Sequence, residues 1–281
     1  MRAVVSAVLA RLGRVRVTLV YAAALVAVAV GVAHLGPQVR QSLIRQASTN
    51  LRNLGEGRFS TLVSSAFVTE SDRLYLWLPG LVALLALAEL VWESRRVVVA
   101  FVVGHVGATL LVAAGIAAAV TAGLVSSSIV DATDVGMSYG AVAVLGSLTA
   151  AIPRRWRAGW AGSWLAVAVG AAVLSGGDFT NVGHGVALVL GMAVGARFGA
   201  PRRWTLPRYA LLGLAAGFSC LVMAYGYLTW TETAGLALLG GVVAQAFSVL
   251  VQTNSSAQAS IQSDSHASGG HSSSSPGISH S

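Results

Sequence analysis

The amino-acid sequence predicts an all-α polytopic membrane protein. Three observations carry that class. Of the 281 residues, 55% are hydrophobic and only 10% are charged, against roughly 25% charged in a soluble domain. The apolar residues gather into eight runs, each near the ~20 residues that a helix needs to cross a bilayer core. The 18 basic residues, all of them Arg, lie between these runs or at their ends. So few charges would not cover the surface of a soluble globule. A lone Cys220 excludes a disulfide framework. A net charge of +8 spread over loops is not the basic patch of a nucleic-acid binder.

Residues 1–16 form a basic N-terminus, expected in the cytoplasm. The eight runs are Val17–Leu35, Leu74–Trp92, Val97–Val125, Gly136–Ile152, Gly159–Ser175, Val182–Phe198, Tyr209–Thr229 and Ala234–Val251. The first is longer than a signal-peptide core and precedes no soluble domain, so it reads as a retained span. The third is long enough to tilt. The fourth and sixth are short, at 17 residues each. Gly, Ala and Ser are frequent in all of them, which suits close helix packing in lipid. Six spans fill residues 17–199, and two further spans fill 200–251. Residues 252–281, rich in Ser, Gly, Gln and His, are too polar to bury a core and are expected to be disordered.

Loop charge sets the orientation. With the N-terminus inside, 13 of the 18 Arg residues face the cytoplasm, and so does the tail. The other five, Arg40, Arg45, Arg52, Arg58 and Arg73, all fall in the first outer loop. In that loop Val39, Leu43, Ile44, Ala47, Leu51 and Leu54 share one helical arc, the pattern of a helix lying in the membrane interface. Phe59, Leu62, Val63, Ala66 and Phe67 repeat the spacing.

A polar or ionisable residue at membrane depth marks a functional site by default. Removing loops and tail leaves Glu89, His105, Ser138 near Asp134, and His184 near Asp178. Ser138 opens the fourth span within Gly136-Met137-Ser138-Tyr139-Gly140. A serine at a helix start lies beside free backbone amides that can hold a developing oxyanion. His184 opens the sixth span, followed by Gly191, Gly195 and Gly199 at G-x-x-x-G spacing, a face for close helix packing. Both spans run from outside to inside, so Ser138 and His184 share a depth near the outer rim. A serine with a histidine base is the minimum for nucleophilic catalysis. His105 and Glu89, with helical rises of about 13 and 9 Å above Arg96 and Arg95, are expected to form a structural polar pair between adjacent spans.

The six-span order, the large first outer loop, the Gly136-Met137-Ser138 start and the His184-Gly185 start with Gly191 and Gly195 resemble the rhomboid family of intramembrane serine proteases. The stretch Thr61-Leu62-Val63-Ser64-Ser65-Ala66-Phe67 is similar to that family's lead-in to the second span. The strings Ser48–Leu54, Gly104–Thr109 and Asp134–Gly140 resemble the rhomboid-like proteins of high-GC Gram-positive bacteria. The resemblance implies a six-helix rhomboid-like core with two added C-terminal helices, in a bacterial plasma membrane. It also implies a serine endopeptidase with Ser138 as nucleophile and His184 as base, acting on transmembrane substrates. Gly136, Tyr139 and Asn181 are the neighbours able to assist the oxyanion. The chain departs from the family pattern in three ways. Tyr139 stands where G-x-S-G has glycine, the second span lacks the family's H-x-x-x-N, and the first outer loop has no Trp for the family's Trp-Arg pair. The alternative is a catalytically silent relative that binds membrane-protein clients. No metal site, cofactor or nucleic-acid partner is expected from the spacing of residues.

Overall fold

The structure is a computed structural model that describes residues 12–69, 74–224 and 226–268. Arg2, Arg11 and Arg73, and the tail's His271 and His280, lie outside the described residues. Among the described residues the fold is helical, without strands. The helices are α1 (Arg16–Ala33), α2 (Pro37–Ala47), α3 (Leu51–Gly55), α4 (Thr61–Ser64), α5 (Leu74–Trp92), α6 (Ser94–Thr121), α7 (Ser138–Leu148), α8 (Arg154–Leu174), α9 (Phe179–Gly195), α10 (Leu206–Ala224) and α11 (Trp230–Ser268).

Each of the eight apolar runs is a helix, but only six of these are long and apolar enough to cross a membrane. The fourth run shortens to the 11 residues of α7, about 17 Å of helix against the ~30 Å hydrocarbon core. Its start is set by Gly136, whose φ of 122° is open to glycine and closed to a helix. Its end dissolves into turns ahead of Pro153. A short helix is tolerable here because α7 is the centre of the molecule. Every residue from Tyr139 to Leu148 is buried, enclosed by α5, α6, α9 and α10.

The α7–α9 contact is backbone to backbone. A Cβ at Gly191 or Gly195 would collide with the carbonyls of Ala143 or Ser147. Gly199 does not extend that face. It sits in the following turn at a φ of 79°.

The two added helices attach at different places. α10 packs on α5, with Phe218 against Gly80. α11 runs along α8, with Gly240, Gly241 and Ala244 against Gly159 and Gly162. α11 continues past Gln252 as far as Ser268, and residues 269–281 of the expected tail lie outside the described residues. A helix nucleated in an apolar span adds one hydrogen bond per residue as it propagates. Between Gln252 and Gly269 the sequence has no glycine or proline to interrupt it.

The outer loop is also not one interfacial helix. α2, α3 and α4 are separated by extended backbone at Ser48–Asn50 and by a turn at 56–60. Its buried side chains include Ser48, Thr49, Asn53, Thr61 and Ser65, while Val39, Phe59 and Val63 face outward. Apolar periodicity missed this because the polar side chains satisfy one another and the backbone. Asn53 donates to the carbonyls of Arg45 (3.0 Å) and Ser48 (2.7 Å).

Candidate functional site

The approach to Ser138 is held by the outer loop. The Thr49 amide donates to the Asp134 carbonyl at 2.9 Å, and the Asp134 amide donates to Ser48 Oγ at 2.8 Å. The Gly136 amide donates to the Ser65 carbonyl at 2.7 Å. Thr49 Oγ1 lies 2.8 Å from the Thr61 carbonyl and 2.9 Å from Ser65 Oγ. Ser65 Oγ in turn shares a 3.1 Å hydrogen bond with His105 Nε2. These bonds fix the segment 134–136 at a defined place before α7 begins. The side chain of Arg52 closes the outer edge through an exposed ion pair with Asp131. That pairing holds the Asp131 carboxyl below its usual range. The Asp134 carboxyl is half-buried without such a partner, and desolvation pushes it up to about 6.

His105 and Glu89 therefore do not pair. Glu89, 1% exposed, turns to the first turn of α1. Its carboxylate accepts from the amides of Val17 (3.0 Å) and Thr18 (2.9 Å), from Thr18 Oγ1 (2.8 Å) and from Ser94 Oγ (2.5 Å). The physical reason is depth. α5 ends at Trp92, so Glu89 lies about 5 Å from the Arg-rich end, whereas His105 lies about 16 Å along α6. A carboxylate at a helix N-terminus satisfies amides that have no acceptor of their own.

Ser138 stands at the first position of α7, half-buried. The amides of Ser138, Tyr139 and Gly140 find no backbone carbonyl among the described residues, because their acceptors would lie before the helix starts. His184 is on the first turns of α9, 5% exposed. Asp178 caps that helix, accepting from the amides of Thr180 (2.9 Å) and Asn181 (3.4 Å).

The two helix starts meet, but the side chain on the imidazole is Tyr139. Its ring stands edge-on to His184, with centroids 5.4 Å apart and planes at 81°. It fills the notch left by Gly183. No hydrogen bond joins Ser138 to His184. Both ring nitrogens of His184, the Tyr139 hydroxyl and Asn181 Nδ2 are buried without a partner.

Sequence reasoning named Ser138, His184, Tyr139 and Asn181, and these four share one rim. It did not foresee Tyr139 as the direct neighbour of His184. It also missed Ser48, Thr49 and Ser65 as the groups that position α7. Their signal was the run of small hydroxyl residues in a loop otherwise read for its apolar arc. Among the described residues there is no cluster of three or more metal-ligating side chains.

A family model described as "Rhomboid-like protein" matches residues 12–198. No curated protein and no solved structure matches the chain. The match covers the first six apolar helices and about two-thirds of the sequence, and the chain belongs to this rhomboid-like family.

Proposed function

We propose that the protein is an intramembrane serine protease that cleaves transmembrane helices, with Ser138 as nucleophile and His184 as base. One observation carries this reading above the others. Four polar atoms of Tyr139, Asn181 and His184 are buried without partners at the start of α9, beside the start of α7. Each such group costs about 1–3 kcal/mol of desolvation. A catalytic role is one reason a fold keeps such groups, and four of the nine orphaned side-chain atoms among the described residues gather here. In free enzymes catalytic contacts are often open and tighten only around substrate.

In this mechanism Ser138 Oγ attacks the scissile carbonyl carbon, and its proton passes to a ring nitrogen of His184. The C=O electron pair moves to oxygen, where the Ser138 and Tyr139 amides and Asn181 Nδ2 receive the negative charge. The C–N bond then breaks, and His184 returns the proton to the leaving nitrogen. Water hydrolyses the acyl-serine by the reverse proton path. The chain sits in a bacterial plasma membrane, with the N-terminus and the residues after 252 in the cytoplasm.

A second reading has its own support. The Tyr139 ring covers the face of His184 that a serine would use. On that reading the protein binds membrane-protein clients without cutting them. Reconstitution with a single-span reporter carrying small residues near its outer end separates the two. The protease reading expects fragments from the parent and none from Ser138→Ala. A reporter crosslinked intact from a photoreactive group at Tyr139, with no fragments, favours client binding.

A further inference from the structure

Away from the rim, a groove lies between α8, α10 and α11. We infer that this groove is a binding site for an anionic diacyl phospholipid, its phosphate held at the Arg155 end and its chains laid along α8 and α11. The site is independent of any catalytic activity.

The groove has a volume of about 1090 Å³, above the roughly 300–1,000 Å³ of sites for drug-sized ligands. Its walls are apolar over most of their length: Trp160, Leu238, Val242 and Val249 line it. α8 and α11 run antiparallel, since Gly162 meets Gly240 while Gly159 meets Gln245. One end of the groove is therefore set by the start of α8. Arg155 lies there, its guanidinium 5.8 Å from the Trp156 ring centroid. Both residues are exposed, and Arg154 stands beside them. No Asp or Glu lines the groove.

This distribution separates a lipid site from an ordinary lipid-facing surface. Positive charge is confined to one end, and an aromatic residue sits at headgroup level. Gln245 does not neutralise that end. Its amide is already used, accepting from the Gly159 amide (3.1 Å) and donating to the Arg155 carbonyl (2.8 Å). A basic pocket between membrane helices is the general form of an anionic-lipid site. A second copy of the chain would have to bring acidic residues to Arg155, and the exposed part of α11 that borders the groove, Leu238 to Val251, has none.

The test is native mass spectrometry of the full chain in detergent, with phosphatidylglycerol or phosphatidylcholine added at equal concentration. The parent is expected to retain phosphatidylglycerol at least five-fold more than phosphatidylcholine. Arg155→Glu is expected to erase that preference. Val242→Trp, which fills the groove at an exposed position, is expected to reduce retention of both lipids. A thermal melt of each variant checks the fold. Equal retention of the two lipids by the parent overturns the inference. So does an unchanged preference in a folded Arg155→Glu protein, or a dimer that carries no lipid.

Discussion

Two buried polar groups sit near opposite ends of this helix bundle and are treated in opposite ways. Glu89 is 1% exposed and accepts four hydrogen bonds from α1 and α6. His184 is 5% exposed, and neither ring nitrogen has a partner. The first is a completed joint, because its carboxylate satisfies a helix terminus that would otherwise be open. The second leaves both ring nitrogens without a partner from the protein, the feature on which the proposed site rests. Burial alone does not distinguish the two. The hydrogen-bond inventory does.

The comparison breaks most visibly at its completed end. Glu89→Ala strips acceptors from two amides, at about 1–3 kcal/mol each. The expected loss is about 3 kcal/mol, read as a clear drop in the thermal midpoint of the purified protein. A midpoint within a degree of the parent would mean that Glu89 is not a joint. Gly191→Leu should come close behind. It drives a side chain into the Ala143 backbone at the α7–α9 contact, where overpacking costs ~1–3 kcal/mol or more. His184→Leu should do the reverse. Removing two unpaired buried nitrogens for an apolar group of similar size is near neutral or stabilising. The midpoint is expected to hold or rise while the proposed reactivity of Ser138 is lost.

Smaller effects sharpen the account of the rim. The Asp134 carboxyl ionises near 6 when folded, against an ordinary 3.8, so the folded chain holds more protons than the unfolded one between those values. Its contribution to stability is complete below about 4, falls as the pH rises to about 6, and is flat above. Asp134→Asn should flatten that part of a stability-against-pH curve. The smallest effect belongs to Arg52→Ala. The exposed pair with Asp131 is expected to leave the midpoint unchanged, as for most surface ion pairs.

Much of this was legible in the residues. Spans one, two, three and six were found to within about four residues at either end, because a membrane helix must be apolar along its whole length. The fourth was drawn too long. Hydropathy cannot see that Gly136 leaves helical φ, nor that a helix shielded by its neighbours need not span. The outer loop was read from its apolar arc, yet Ser48, Thr49 and Ser65 turn inward, since polar groups that satisfy each other carry no periodic signature. Elimination of loop and tail residues brought Ser138 and His184 to one rim. The Glu89–His105 pairing failed because helix rise was counted from Arg95 and not from the helix end at Trp92. The helix through residues 253–268 was missed because composition weighs burial and ignores propagation from a neighbouring span.

The most direct measurement of the central proposal is covalent. The purified full chain is treated with a fluorophosphonate probe, and the adduct is mapped by peptide mass. The account predicts an adduct on Ser138 that is absent from Ser138→Ala and lost in a stably folded His184→Leu protein. A folded parent that takes no probe at Ser138, or equal labelling with and without His184, would contradict it.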